Sequence, residues 1–149
     1  MSTDNQKPKE YTFAISHPLG AVDGNGNTMS GEALENAVRH FNERLQSGRW
    51  IVGEFGAPSA DVISARTLQV DERNVAIRVT AVEMTDTGIV AKVVPFGPYA
   101  SVVQKFIDDG SLERDEIGFR IRMLVPPDKI KDGIITEFVP VTVDLVDLK

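Results

Sequence analysis

The chain has no cysteine among its 149 residues. That excludes disulfides, thiolate metal sites and a cysteine nucleophile together. Histidine is nearly missing: only His17 and His40 are present, and none follows position 40. A two-histidine metal site would also want carboxylates at ligand spacing, and neither histidine has them. No apolar run approaches the roughly 18–20 residues that a membrane span requires. The opening MSTDNQKPKE has no apolar stretch after its lysine, so no signal peptide is expected. Basic residues are the minority, 16 against 22 acidic, for a formal net charge of −6. A phosphate backbone repels such a chain unless its bases cluster, and they do not. Neither nucleic acid nor membrane is expected as a partner, and no cofactor or metal is expected.

What is present suits one compact domain. Hydrophobic residues at 42% supply an ordinary core without covalent staples. Residues 1–10 are polar and read as a flexible or partner-ordered arm, leaving 11–149 for the domain.

The patterning alternates between two periods. YTFAI (11–15) alternates large and small side chains as a short strand does. GAVDGNGNT (20–28) is a loop. SGEALENAVRHFNERLQSG (30–48) carries Leu34, Ala37, Val38, Phe41 and Leu45 at three- and four-residue steps, one apolar stripe on a helix. Ser30 is placed to cap its start, Gly48 to end it, and Glu35 to pair with Arg39. RWIVGEF (49–55) reads as a strand running into a turn, and DVISARTLQV (61–70) as strand or irregular chain. NVAIRVTAVEM and GIVAKVVP, joined by TDTG, form a hairpin. PYASVVQKFIDDG (98–110) is a second helix. EIGFRIRMLV alternates Ile117, Phe119, Ile121 and Met123 against Gly118, Arg120 and Arg122, a strand with one buried face. PPDKIKDG is a loop, and IITEFVPVTVDLVDLK a bent final strand in which Pro140 implies an edge or bulge. Two helices interrupting a mostly antiparallel β system make the class α+β.

Several patterns come close to chemistry. Asp23, Asn25 and Asn27 have the one-three-five spacing of an EF-hand loop, but Thr28 and Leu34 stand where its glycine and bidentate glutamate belong. Ser16 and His17 are adjacent, and adjacent side chains point apart in extended backbone. Asp108 and Asp109 end a helix, where the dipole disfavours negative charge, and read as solvated acids. Arg120 and Arg122 fall on the outer face of one strand, beside Arg78 if the strands pair. Such a row could hold a partner's carboxylates, or be a solvated face paired with Glu83 or Glu137.

The order of elements resembles the prohead (capsid maturation) proteases of tailed bacteriophages, related in fold to the herpesvirus assemblins. The likeness spans roughly residues 20–146 and rests on GEFGAP (53–58) and IGFRIR (117–122), within the same succession of loop, helix, turn, hairpin, helix and strand. It implies an antiparallel, β-barrel-like sheet with two main helices. In that family the turn reads like G-E-L-x-H-P and the strand like G-[VI]-S-S-R-G. Here Gly53, Glu54 and Pro58 match, but Ala57 takes the place of the catalytic histidine. Gly118 and Arg122 also match, while Arg120 and Ile121 stand where serines would be. Neither alanine, arginine nor isoleucine can attack a carbonyl or accept the nucleophile's proton.

The resemblance therefore implies a scaffold without the chemistry, with Glu54, Ala57, Pro58 and Gly118 marking a vestigial site. It points to a non-enzymatic capsid decoration, cementing or head-assembly protein, in the virion and, during assembly, in the host cytoplasm. The expected partners are the major capsid protein, other head proteins or a second copy. Contacts are expected from the arm with Tyr11 and Phe13, from Arg120 and Arg122, and from the last strand with Val141 and Val143. Two alternatives stay open. One is a hydrolase with a rebuilt site, using Ser16, Ser59, Ser64 or Ser101 with His17 or His40. The other is a module that engages a host protein.

Overall fold

The computed structural model describes residues 9–16, 20–22, 26–56 and 68–148. Among these residues, nine strands and two long helices follow one another as β1 (Tyr11–Ala14), β2 (Thr28–Met29), α1 (Gly31–Gln46), β3 (Ile51–Glu54), β4 (Val75–Met84), β5 (Ile89–Pro95), α2 (Ala100–Asp108), β6 (Ile117–Leu124), β7 (Ile130–Lys131), β8 (Ile134–Ile135) and β9 (Val139–Asp147). The class is α+β, as the alternation of periods implies.

Helix α1 starts where its sequence says it should. The Ser30 hydroxyl accepts the Ala33 N–H at 3.0 Å, and Ala33, Leu34, Ala37 and Phe41 are buried along one face. Arg39 pairs with Glu43 at 3.8 Å rather than with Glu35. At 64% exposure on both sides, that pair adds little stability.

Three sheets carry the strands. The largest has the order β1-β5-β4-β3, a second pairs β6 with β9, and a small third runs β2-β8-β7. The first two come together along both margins. Phe55, just past β3, bridges Leu145 of β9 in parallel, and the Gly56 N–H donates to the Leu145 carbonyl at 2.7 Å. On the other side the Ile121 N–H of β6 donates to the carbonyl of Ile15, just after β1, at 3.1 Å. Six strands thus curve around Ile51, Ile77, Val79, Val93, Phe119, Val143 and Leu145, all buried. The ladder does not close, so the arrangement is less than a barrel.

One sequence expectation needs correction. PPDKIKDG is not wholly loop: β7 and β8 form a tight hairpin around Asp132 and Gly133, whose φ angles are +52° and +76°. Positive φ at both central residues is the geometry that matches the twist of paired strands. Pro140 does mark a bulge, since Arg122 pairs with Thr142 and Met123 with Pro140, skipping Val141.

Candidate functional site: a buried arginine between two carboxylates

The GEFGAP turn begins on β3, whose Glu54 is fully buried. A buried carboxylate needs charged and hydrogen-bonding partners. Glu54 finds them in Arg122, whose Nη2 donates to Glu54 Oε2 at 2.8 Å. Oε2 also accepts the Asp71 backbone N–H at 3.0 Å. Arg122 grips a second acid as well. Its Nε and Nη2 donate to the two carboxylate oxygens of Asp144 on β9, each at 2.8 Å. That forked contact is the strongest geometry an arginine and a carboxylate can adopt. The remaining nitrogen, Nη1, donates to the Gln69 carbonyl at 2.8 Å. Asp144 Oδ1 accepts the Glu54 backbone N–H at 3.0 Å, tying β3 to β9.

The expectation for Arg122 fails here. It was placed on an open sheet face for a partner, yet its side chain is 5% exposed. The strand period was read correctly, because Arg122 does point away from Phe119 and Ile121. What hides it is chain from around Gln69 and Asp71. Nor do the three arginines form a row: Arg78 lies on β4 in the other large sheet.

Among the described residues, one guanidinium faces two carboxylates. Burial pushes the Asp144 carboxyl up, more than its bonds to Arg122 and the Glu54 N–H pull it down. Burial also lowers Arg122, but the hydrogen bonds and charges of Asp144 and Glu54 outweigh that and raise it. A carboxyl with a raised folded pKa contributes stability that is present below its unfolded value, 3.8, and is lost as pH rises through the folded one. The unfolding free energy of wild type minus that of Asp144→Asn should therefore shift in favour of wild type as pH falls from about 7 towards about 4. Urea melts of both proteins across that range check it.

The other sequence candidates scatter. Arg120 is half-buried, donates to the Phe119 carbonyl at 2.8 Å, and is lowered by burial, with Asp115 acting the other way. It helps line a cleft of about 430 Å³ with Phe13, Ser16, Thr87 and Leu112. Gly118 is buried, and a Cβ there would lie 2.7 Å from Leu148 Cδ1. Val143 is fully buried and offers a partner no surface, which corrects its assignment as a contact. Val141 is half-buried, its carbonyl accepting from Arg44 at 2.8 Å. Tyr11 accepts from Gln104 at 3.1 Å, and Phe13 packs on Phe119 with centroids 5.0 Å apart. The Ser16 hydroxyl accepts the Ile89 N–H at 3.0 Å, while Ser101 on α2 and His40 on α1 are exposed. His17, Ala57, Pro58, Ser59, Ser64 and the arm over 1–8 lie outside the described residues. Asp144 escaped the sequence reading altogether. Its one signal was its place on the polar side of VTVDL, antiparallel to Arg122.

This arrangement of helices and open curved sheets is a prohead-protease-like fold. The solved structure of the bacteriophage T4 capsid assembly protease, gp21, matches it with a TM-score of 0.68 and 20% sequence identity, over 92% of this chain and 80% of that one. No protein-family model matches the chain, and no curated protein matches it in sequence.

Proposed function

We propose that this chain is a phage head protein that retains a protease scaffold without protease chemistry. It acts through protein contacts as a capsid decoration, cementing or head-assembly component. The observation that carries the reading is Ile121. This residue, one of the two that the resemblance sets at serine positions, is 8% exposed within the hydrophobic core. Its neighbour Arg120 carries a guanidinium, and neither side chain can form an acyl intermediate. No histidine follows position 40 to serve as a base on any later strand. The likeness in fold to a capsid assembly protease supports a place in head assembly, with the major capsid protein or other head proteins as partners.

Two measurements test this. Purified protein, incubated with the capsid and scaffold proteins of its phage, should leave them intact and take no label from a serine-reactive fluorophosphonate. Mass spectrometry of purified virions should find the polypeptide at a fixed ratio to the major capsid protein. Cleavage that disappears in His17→Ala or His40→Ala would replace this reading with the rebuilt hydrolase. Intact substrates, with the protein missing from virions and assembly intermediates, would remove the head role.

A further inference from the structure

The cleft beside Arg120 opens where β1 and β6 part. The bond from the Ile121 N–H to the Ile15 carbonyl holds the two strands at one point, and no other backbone hydrogen bond joins them among the described residues. The Phe13 and Phe119 rings meet across the gap that is left. Leu112, Ile117 and Leu148 add apolar walls, and Thr87, exposed in the turn between β4 and β5, lines the cleft as well. At about 430 Å³, the space falls within the range in which proteins hold small groups.

Two donors face this gap. Beyond the end of β9, the Leu148 N–H donates to the Glu116 carbonyl at 3.2 Å. That bond sets the alternation along β6: Gly118 and Arg120 exchange bonds with β9, while the backbone groups of Ile117, Phe119 and Ile121 point the other way, towards β1. The Phe119 N–H therefore turns to the gap, and no described residue accepts it. The Phe119 carbonyl, on the same edge, accepts from Arg120 Nη1 at 2.8 Å, which draws the guanidinium to that side of the strand. Arg120 is half-buried and forms no ion pair with any described residue. Asp115, exposed, acts on its charge from beyond ion-pair distance. A buried donor without an acceptor is costly, and native proteins keep few.

We propose that this cleft captures the C-terminal residue of a partner polypeptide. The terminal carboxylate takes the Arg120 guanidinium and the Phe119 N–H, and the last side chain lies against Leu112, Ile117 and Leu148. A C-terminal residue carries an anion and an apolar group on one Cα, which matches a cation set directly beside apolar walls. An inorganic anion would leave those walls uncovered, and an uncharged apolar group would leave the cation unmet. Peptides bind open strand edges in this manner, with main-chain bonds for affinity and side-chain pockets for specificity. The inference does not rest on the head role, since binding is read on the purified chain alone.

Titrating peptides into the isotope-labelled full chain, with its backbone amide spectrum as the readout, tests the proposal. Acetyl-Ala-Ala-Leu as the free acid should move the signals of Gly88, Gly118 and Phe119, carrying the Phe119 N–H downfield. The same peptide as its C-terminal amide should bind at least about tenfold more weakly. So should acetyl-Ala-Glu-Leu-amide, whose carboxylate sits on a side chain. Arg120→Gln should weaken binding of the acid by a similar factor. Thr87→Asp, on the exposed turn, should weaken it by repulsion without disturbing the fold. The proposal is overturned if the acid moves no cleft signal at about 5 mM, or if either control peptide binds as well as the acid. It is also overturned if affinity is unchanged in Arg120→Gln or, should that variant not fold, in Thr87→Asp.

Discussion

Arg122→Met is expected to cost the fold about 3–5 kcal/mol, because it removes a guanidinium that two buried carboxylates grip. Whole domains are stable by only about 5–15 kcal/mol, so a large unfolded fraction at room temperature is the anticipated outcome. Glu54 and Asp144 are 0% and 1% exposed. Water therefore cannot take over the role of the guanidinium. Exchanging all three groups for apolar residues of like volume should return much of the loss, since the attraction within such a cluster barely exceeds the cost of drying it. Denaturant titrations of the single and triple variants measure both quantities. A single variant as stable as wild type would mean that the cluster is hydrated and contributes nothing.

Gly53→Ala is expected to be at least as damaging, for a reason of shape alone. A Cβ built on Gly53 would lie 1.6 Å from the Val143 carbonyl oxygen and 2.8 Å from its carbon. The obstacle is backbone, on a strand held in place by its ladder with β6. Since β3 and β9 would have to separate, the loss should exceed the about 1–3 kcal/mol usual for an overfilled core. Gly31→Ala is the contrast. Nothing lies within 4 Å of its Cβ position at the start of α1, so this change should be neutral or slightly stabilising. Circular dichroism melts of the pair separate close approach from any general intolerance of glycine replacement.

Local patterns foretold local structure well. The capped, striped segment 30–48 became α1 because its cap and stripe are set within the segment itself. NVAIRVTAVEM and GIVAKVVP became β4 and β5 for a similar reason. The two-residue strand β7 was lost, and β8 was merged into the final strand, because so short a run has no period of its own, although Asp132-Gly133 is a strong turn signal. Arg122 shows the other limit. Alternation along β6 gave its direction correctly, but not what lies above it. Its partners come from positions 54, 69 and 144, and no spacing rule links residues so far apart. The register of β6 on β9 sets Thr142 opposite Arg122 and Asp144 opposite Arg120, so the acid that Arg122 grips is a diagonal neighbour. Glu54 was legible only as part of a turn motif, with nothing to say that it would be fully buried.

The way Arg122 is held has one more consequence. By touching Glu54 on β3, Asp144 on β9 and the Gln69 carbonyl, it binds three stretches that lie far apart in the chain at a single point. Elements held by one shared side chain let go together, so the margin between β3 and β9 should open in one cooperative step.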